Sequence, residues 1–184
     1  MEKKKLILPI ILGLIMVLSI FGIVIDNTTN QPEITKTTYH ETEYTLTNNI
    51  WVTTKNGIQI YFYYPPEELD NTTITTQLTD LQALKIYISL DTTKNIQLLT
   101  QAVQQKIIPL LQNSQIVTAC TQDDEPCKDL PLKTCQDATP EQKVIILTEG
   151  NSSITYDNNC LTLQTTPEQA TKDIDSLLFR LLEL

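Results

Sequence analysis

Residues 84–119 contain the clearest fold pattern in the chain, and they read LKIYISL (84–90), DTTKN (91–95), IQLLTQAVQQKIIPLLQNS (96–114) and QIVTA (115–119). The first and last runs are short, continuous and apolar, which is typical of strands buried on both faces. Between them, apolar residues recur every three or four positions, as on one face of a helix. The pattern predicts a helix over about 93–112, capped by Asp91, Thr92 or Thr93. Strand, helix and strand then form a parallel pair with a right-handed crossover.

Further elements extend this unit in both directions. KVIILT (143–148) predicts a third core strand, and Thr166-Pro167-Glu168-Gln169 predicts the start of a helix over 167–183. Two hairpins are expected at the sheet edges, at 50–54 with 58–64 and at 154–156 with 161–164. The first turns at Asn56-Gly57, which suits a type I′ turn. The predicted fold class is therefore α/β, a mixed sheet with parallel strands 84–90, 115–119 and 143–148.

A separate apolar segment precedes the domain. LILPIILGLIMVLSIFGIVI (6–25) contains 20 residues without a charge, long enough to cross about 30 Å of hydrocarbon. Residues 1–5 carry three lysines, which predicts a cytoplasmic N-terminus and an extracytoplasmic remainder. The alternative is a cleaved secretory signal, but the run is longer than a signal core and ends without a small-x-small site. We expect a signal-anchor helix in contact with membrane lipid.

Residues 26–48 are rich in threonine and poor in large apolar groups, so we predict a stalk, with 42–47 alternating enough to begin a strand. The folded domain is then expected at 49–184. Three of the 13 Lys and Arg and one of the 22 Asp and Glu precede residue 6, which leaves a net charge of about −11 on residues 26–184. Such a body repels nucleic acid, so no nucleic-acid partner is expected.

The four cysteines follow the anchor, as disulfides would require: Cys120, Cys127, Cys135 and Cys160. No two are close enough for a typical structural zinc site, and no Cys-x-x-Cys is present. In an oxidising compartment two disulfides are expected. Proximity favours Cys120–Cys127 with Cys135–Cys160, and the runner-up pairs Cys120 with Cys135 and Cys127 with Cys160.

Export is also compatible with three glycosylation sequons, at Asn27, Asn71 and Asn151. The sequence contains no clear catalytic or cofactor-binding motif. His40 is the only histidine and falls in the predicted stalk, which argues against histidine-dependent catalysis. The four glycines make no phosphate loop. We therefore predict no catalytic residue, no metal site and no cofactor.

Acidic residues occur in groups that could form sites. The loop 120–142 contains the group Asp123, Asp124, Glu125, Asp129 and Asp137, but its spacing is not that of a calcium loop, which favours a solvated surface. The pairs Glu67–Glu68 and Asp173–Asp175 resemble glycosidase carboxylates only in residue type. The aromatic run 61–64 can form either a binding face or part of the core, and the core reading is favoured.

Three functional hypotheses follow. The first is a cell-envelope binding or structural module that contacts another surface protein or a glycan. The second is an accessory subunit of a membrane complex, in which the helix 6–25 is itself the contact. The third is an extracytoplasmic enzyme that uses carboxylates.

Overall fold

The computed structural model describes residues 35–55, 57–70 and 78–184. The predicted anchor at 6–25 lies outside these ranges, as do the sequons at Asn27 and Asn71. Within the described part of the chain, no helix is long and apolar enough to cross a membrane.

The first of two sheets is a four-stranded meander. Its strands run in sequence order and comprise β1 (Thr35–Tyr39), β2 (Thr42–Thr47), β3 (Ile50–Lys55) and β4 (Ile58–Phe62). Two-residue turns with positive φ join neighbouring strands, at His40-Glu41 and at Asn48-Asn49. Gly57, with φ of 78°, closes the third turn. Such turns match the right-handed twist of paired strands.

This sheet differs from the prediction in the placement of the first hairpin and in an additional strand. The hairpin β3–β4 forms as predicted, with Lys55 opposite Ile58, but it belongs to its own sheet and not to an edge of the parallel one. The strand predicted at 42–47 is β2. Residues 35–39, which the prediction placed in the stalk, form β1. Glu41 seldom adopts positive φ, and the turn has no Gly, Asn or Asp, so no strong local signal marked the β1–β2 hairpin.

The second sheet has five strands in the order β6-β5-β7-β9-β8. They are β5 (Lys85–Leu90), β6 (Gln115–Cys120), β7 (Gln142–Glu149), β8 (Ser153–Asp157) and β9 (Cys160–Thr165). The predicted parallel core is confirmed, because β5 pairs in parallel with both β6 and β7. The second hairpin is confirmed as β8–β9, and β9 also pairs in parallel with β7.

Two longer helices follow the predicted segments with shifted ends. Helix α3 covers Gln97–Lys106 and α4 covers Ala170–Leu181, after the short helices α1 (Pro66–Leu69) and α2 (Leu78–Leu81). Neither long helix uses its predicted cap: Thr93 donates to Asp91 (2.7 Å), and residues 166–169 form a preceding turn. Pro109 falls in a short 3₁₀ turn after α3, as expected of a residue without an amide N–H.

One core joins both sheets to the helices. Tyr44 and Phe62 of the first sheet belong to the same buried cluster as Ile145 of the second sheet and Leu177 of α4. Helix α4 is buried on almost every side, and its Phe179 lies 6.2 Å from the Phe62 ring.

A smaller cluster covers another part of the second sheet. It contains Tyr87, Ala119, Val144 and Cys160, with Ala138 of the 120–142 connection packed against it. Parallel sheets need cover on both faces. Here a loop held by disulfides packs against strand residues that the helical cluster does not include.

Candidate functional site

Both disulfides of the structure join the pairs that proximity favoured, Cys120–Cys127 and Cys135–Cys160. Cys120 ends β6 and Cys160 begins β9, whereas Cys127 and Cys135 lie in 3₁₀ turns of the connecting loop. The Ser89 hydroxyl of β5 adds a hydrogen bond to the carbonyl of Lys133 (2.5 Å). The bonds therefore fasten the loop to three strands, which is a structural role.

The acidic residues of this loop are dispersed. Glu125 pairs with Lys128 (2.6 Å), and Asp137 caps its own turn at Thr134 and lies 3.6 Å from Lys133. The backbone and hydroxyl of Thr134 hold the pKa of Asp137 below its ordinary value. Within the described ranges, no three His, Cys, Asp or Glu residues are grouped to hold a metal ion.

The carboxylates Asp173 and Asp175 face different parts of the fold. Asp173 accepts hydrogen bonds from Ser152 (2.7 Å) and from Thr165, beside the second sheet. Asp175 accepts the backbone N–H of Tyr63 (2.7 Å) just past β4. Residues two apart on a helix point in different directions, so the two carboxylates do not form a catalytic pair.

The residues at the carboxyl ends of β5 and β7 lie where open α/β sheets often bind ligands. Asp91 accepts the hydroxyls of Thr93 (2.7 Å) and Thr148 (2.8 Å) there. Burial would raise the pKa of Asp91, but these hydrogen bonds and the nearby Lys94 lower it overall. Glu149 accepts the backbone N–H of Asn95 (3.0 Å). Both carboxylates thus stabilise the loop that leads into α3.

His40 is not part of an unstructured stalk but of the β1–β2 turn. Its ring stacks on Tyr39 at 4.3 Å and lies 3.8 Å from Asp70. Asp70 also accepts the Tyr39 hydroxyl (2.9 Å) and pairs with Arg180 (2.8 Å). This cluster connects the turn, the end of α1 and α4, and it explains the position of the histidine without a reaction.

The strongest candidate for a binding site is a groove of about 350 Å³ beside β4, which we call the β4 groove. Strand residues 58–61 line it together with the end of α3 and the following 3₁₀ turn, which contribute Lys106, Pro109 and Leu110. Leu178 of α4 also lines it. Its volume is at the lower end of the range for ligand pockets.

Large apolar side chains are exposed along this groove. Ile58 is 51% exposed, Tyr61 49% and Tyr63 55%. A depression of about 290 Å³ shares Tyr63 and Lys106 with the groove and continues to Leu98, which is 53% exposed. Several exposed apolar residues that line adjoining depressions are typical of an interaction site, whereas single ones are ordinary.

An ion pair between α3 and α4 lies at this groove. Lys106 contacts Asp175, donates to the carbonyl of Tyr61 (3.1 Å) and lies 4.5 Å from the centre of the Tyr63 ring. The Asp175 side chain has no exposed surface. Burial raises the pKa of Asp175, although Lys106 and the backbone N–H groups of Tyr63 and Tyr64 oppose that effect.

Comparison of the chain with protein-family models, with curated proteins and with solved structures finds no match in any of the three.

The sequence alone did not predict the β4 groove. The aromatic run that borders it divides by strand alternation: Phe62 is fully buried, whereas Tyr61 and Tyr63 are exposed. The reading of the run as core is therefore right for Phe62 and wrong for Tyr61 and Tyr63. The alternation of Ile60 and Phe62 with Tyr61 and Tyr63 was the available signal for the inner face, but the other wall of the groove comes from α3, about 45 residues later in the chain.

Proposed function

We propose that this chain is a membrane-anchored, extracytoplasmic binding module whose β4 groove contacts a partner in the cell envelope. The observation that carries the proposal is that three exposed apolar side chains, Ile58, Tyr61 and Tyr63, line one groove of about 350 Å³. Sites of this kind bury a partner's apolar surface, which is the main favourable term in association.

The location is supported by three features of the chain. The segment 6–25 is long and apolar enough for a membrane span and follows three lysines. The domain has two disulfides, and disulfides form and persist mainly in oxidising compartments such as the cell exterior. Asn151, the one sequon asparagine in the described ranges, is exposed at the bend before β8.

Glycosylation mapping tests the orientation. The full chain, with Asn27→Gln and Asn71→Gln, is translated in the presence of microsomes. Translocation of the domain predicts a single endoglycosidase-sensitive increase in mass at Asn151. Ser153→Ala, which destroys the same sequon but keeps Asn151, is the matched control. A chain that stays unmodified and open to added protease in sealed microsomes would place the domain on the cytoplasmic side.

Site-specific photocrosslinking in the source cells tests the groove. A photoreactive amino acid replaces Ile58 in one variant and Leu132 in another, because their exposures are similar, at 51% and 47%. We expect a discrete crosslinked species from position 58 only. Equal or absent crosslinking at the two positions would contradict the groove as the contact surface.

The accessory-subunit reading is favoured by one specific feature, the anchor itself. Exchanging residues 6–25 for an unrelated membrane span distinguishes the two functions. The groove proposal predicts that the crosslink at Ile58 survives the exchange. Loss of the crosslink would assign the contact to the helix.

A further inference from the structure

β4 has one edge that no other described strand covers. β4 is the last strand of its sheet and pairs only with β3. Lys55 and Ile58 face each other across a two-residue turn, so they are the pair that exchanges backbone hydrogen bonds. Because this pattern alternates along an antiparallel ladder, the backbone groups of Gln59 and Tyr61 point away from β3.

Two observed hydrogen bonds agree with this register. The Tyr61 carbonyl accepts from Lys106 (3.1 Å), and the Tyr63 N–H donates to Asp175 (2.7 Å), both on the side away from β3. Among the described residues, no backbone or side-chain group bonds the backbone of Gln59 on that side. The edge is therefore occupied at one end by the ion pair and open at Gln59.

The open edge borders the β4 groove. An extended peptide that pairs with a sheet edge lies about 4.8 Å from it and presents alternate side chains to each face. Main-chain hydrogen bonds then supply affinity, and pockets for alternate side chains supply specificity. The exposed Ile58 and Tyr63 and the apolar Pro109 and Leu110 offer such contacts on the described surface.

Charge indicates which peptide fits. Lys106 is the one Lys, Arg, Asp or Glu among the described lining residues, and Asp175 neutralises it. The body as a whole is acidic, with a net charge of about −11 over residues 26–184. A second copy of the chain, an acidic segment and an anionic bilayer are all repelled by that charge. The same charge does not repel a neutral or basic apolar segment.

We propose that the β4 groove captures an extended, apolar segment without acidic residues from another protein, which adds as a strand to the edge of β4. This inference rests on the proposed binding function and specifies its ligand. In an added strand, every second residue of the peptide directs its backbone N–H group toward β4. The residues between them direct theirs away, so their N–H groups are not needed for binding.

The test uses the full chain in phosphatidylcholine nanodiscs and the probe acetyl-Thr-Val-Thr-Val-Thr-Val-amide with a fluorescent label. Two further probes carry N-methyl groups on every second residue, in one register or the other. Binding is measured by anisotropy. We expect one methylated probe to bind about tenfold more weakly, through loss of two or three hydrogen bonds, and the other to bind nearly unchanged. A probe with glutamate in place of valine should bind least.

Protein variants repeat the comparison from the other side. Gln59→Pro removes the outward N–H and leaves the ladder with β3 in place, because proline is tolerated on an edge. Gln59→Ala keeps the N–H and is the matched control. Proline, and not alanine, should weaken binding of the unmethylated probe, with the melting transition of each variant recorded.

Several outcomes would overturn the proposal. Equal effects of both methylation registers would show apolar binding without a strand. Absence of binding by every probe would reject peptide capture, while the crosslink at Ile58 would still report on the binding function separately. Self-association abolished by Gln59→Pro would assign the edge to a second copy. Quenching of a fluorophore at position 58 by brominated lipid would assign the groove to the bilayer.

Discussion

Lys106 and Asp175 join the two long helices through an ion pair from which water is nearly excluded. The Asp175 side chain has no exposed surface and that of Lys106 is 12% exposed. Lys106 also donates to the carbonyl of Tyr61 in β4, and Asp175 accepts the backbone N–H of Tyr63 just past that strand. The pair thus fixes α3, α4 and one end of the β4 groove together.

The buried carboxylate makes stability depend on pH. The pKa of Asp175 is raised above its ordinary value of 3.8, chiefly by burial. Between the unfolded and folded pKa values the native state holds the proton more tightly, so the free energy of unfolding falls as pH rises through that window. Urea titrations at several pH values should therefore show wild type gaining stability relative to Asp175→Asn as pH is lowered toward about 4.

Lys106→Met provides the control for this prediction. Lys106 lowers the pKa of Asp175, so its removal should raise that pKa further, as measured by carbon NMR of the carboxyl group. A pKa unchanged in Lys106→Met, or a stability difference that shrinks on acidification, would contradict the assigned cause.

The two disulfides should differ in their contribution to stability. They link residues 7 and 25 positions apart, for which the chain-entropy model gives about 2.5 and about 3.5 kcal/mol. The contribution of each bond is measured in a double variant that retains only that bond, Cys135→Ala/Cys160→Ala or Cys120→Ala/Cys127→Ala. The free energy of unfolding is compared before and after reduction. Oxidised and reduced forms then share the same side chains. A larger loss from the short-range bond would argue against the entropic origin.

The backbone conformation at position 57 favours glycine, whereas the surrounding atoms leave room for a side chain. Its φ is 78°, and an added Cβ would meet no atom within 4 Å. Gly57→Ala should therefore cost about 1 kcal/mol of unfolding free energy through left-handed strain alone. Gly57→Asn should cost less, since asparagine tolerates this region. Equal losses of unfolding free energy for the two substitutions would argue against left-handed backbone strain as the cause.

The hydrogen bond from Ser89 to Lys133 should hold the disulfide loop against the sheet. Ser89 is fully buried, and its hydroxyl lies 2.5 Å from the Lys133 carbonyl. Ser89→Ala should destabilise the protein by about 1–2 kcal/mol and speed amide exchange at Lys133. The exposed Ser153→Ala serves as control. Faster exchange spread evenly over the molecule would indicate a general loss of stability instead.

Local patterns were sufficient for much of the second sheet. The continuous apolar runs at 84–90, 115–119 and 143–148 predicted three parallel strands, and the helical spacing between the first two predicted α3. These signals depend on neighbours in sequence, and burial of both faces leaves little freedom in how such strands pair. The disulfide pairs followed from short separations in the chain.

The candidate site depended on contacts between distant residues. Helical spacing separates Asp173 from Asp175, but it does not show that one side chain bonds the second sheet and the other bonds Tyr63 and Lys106. Glu41 lacks turn propensity, so the β1–β2 hairpin was not predicted.

Side-chain period and composition establish the strand and helix segments, the acidic charge and the cysteine framework. Tertiary packing places the first hairpin in a separate sheet and leaves the edge of β4 open beside α3. Such a groove arises from the spacing between elements about 45 residues apart, and that spacing is set by how the shared core packs.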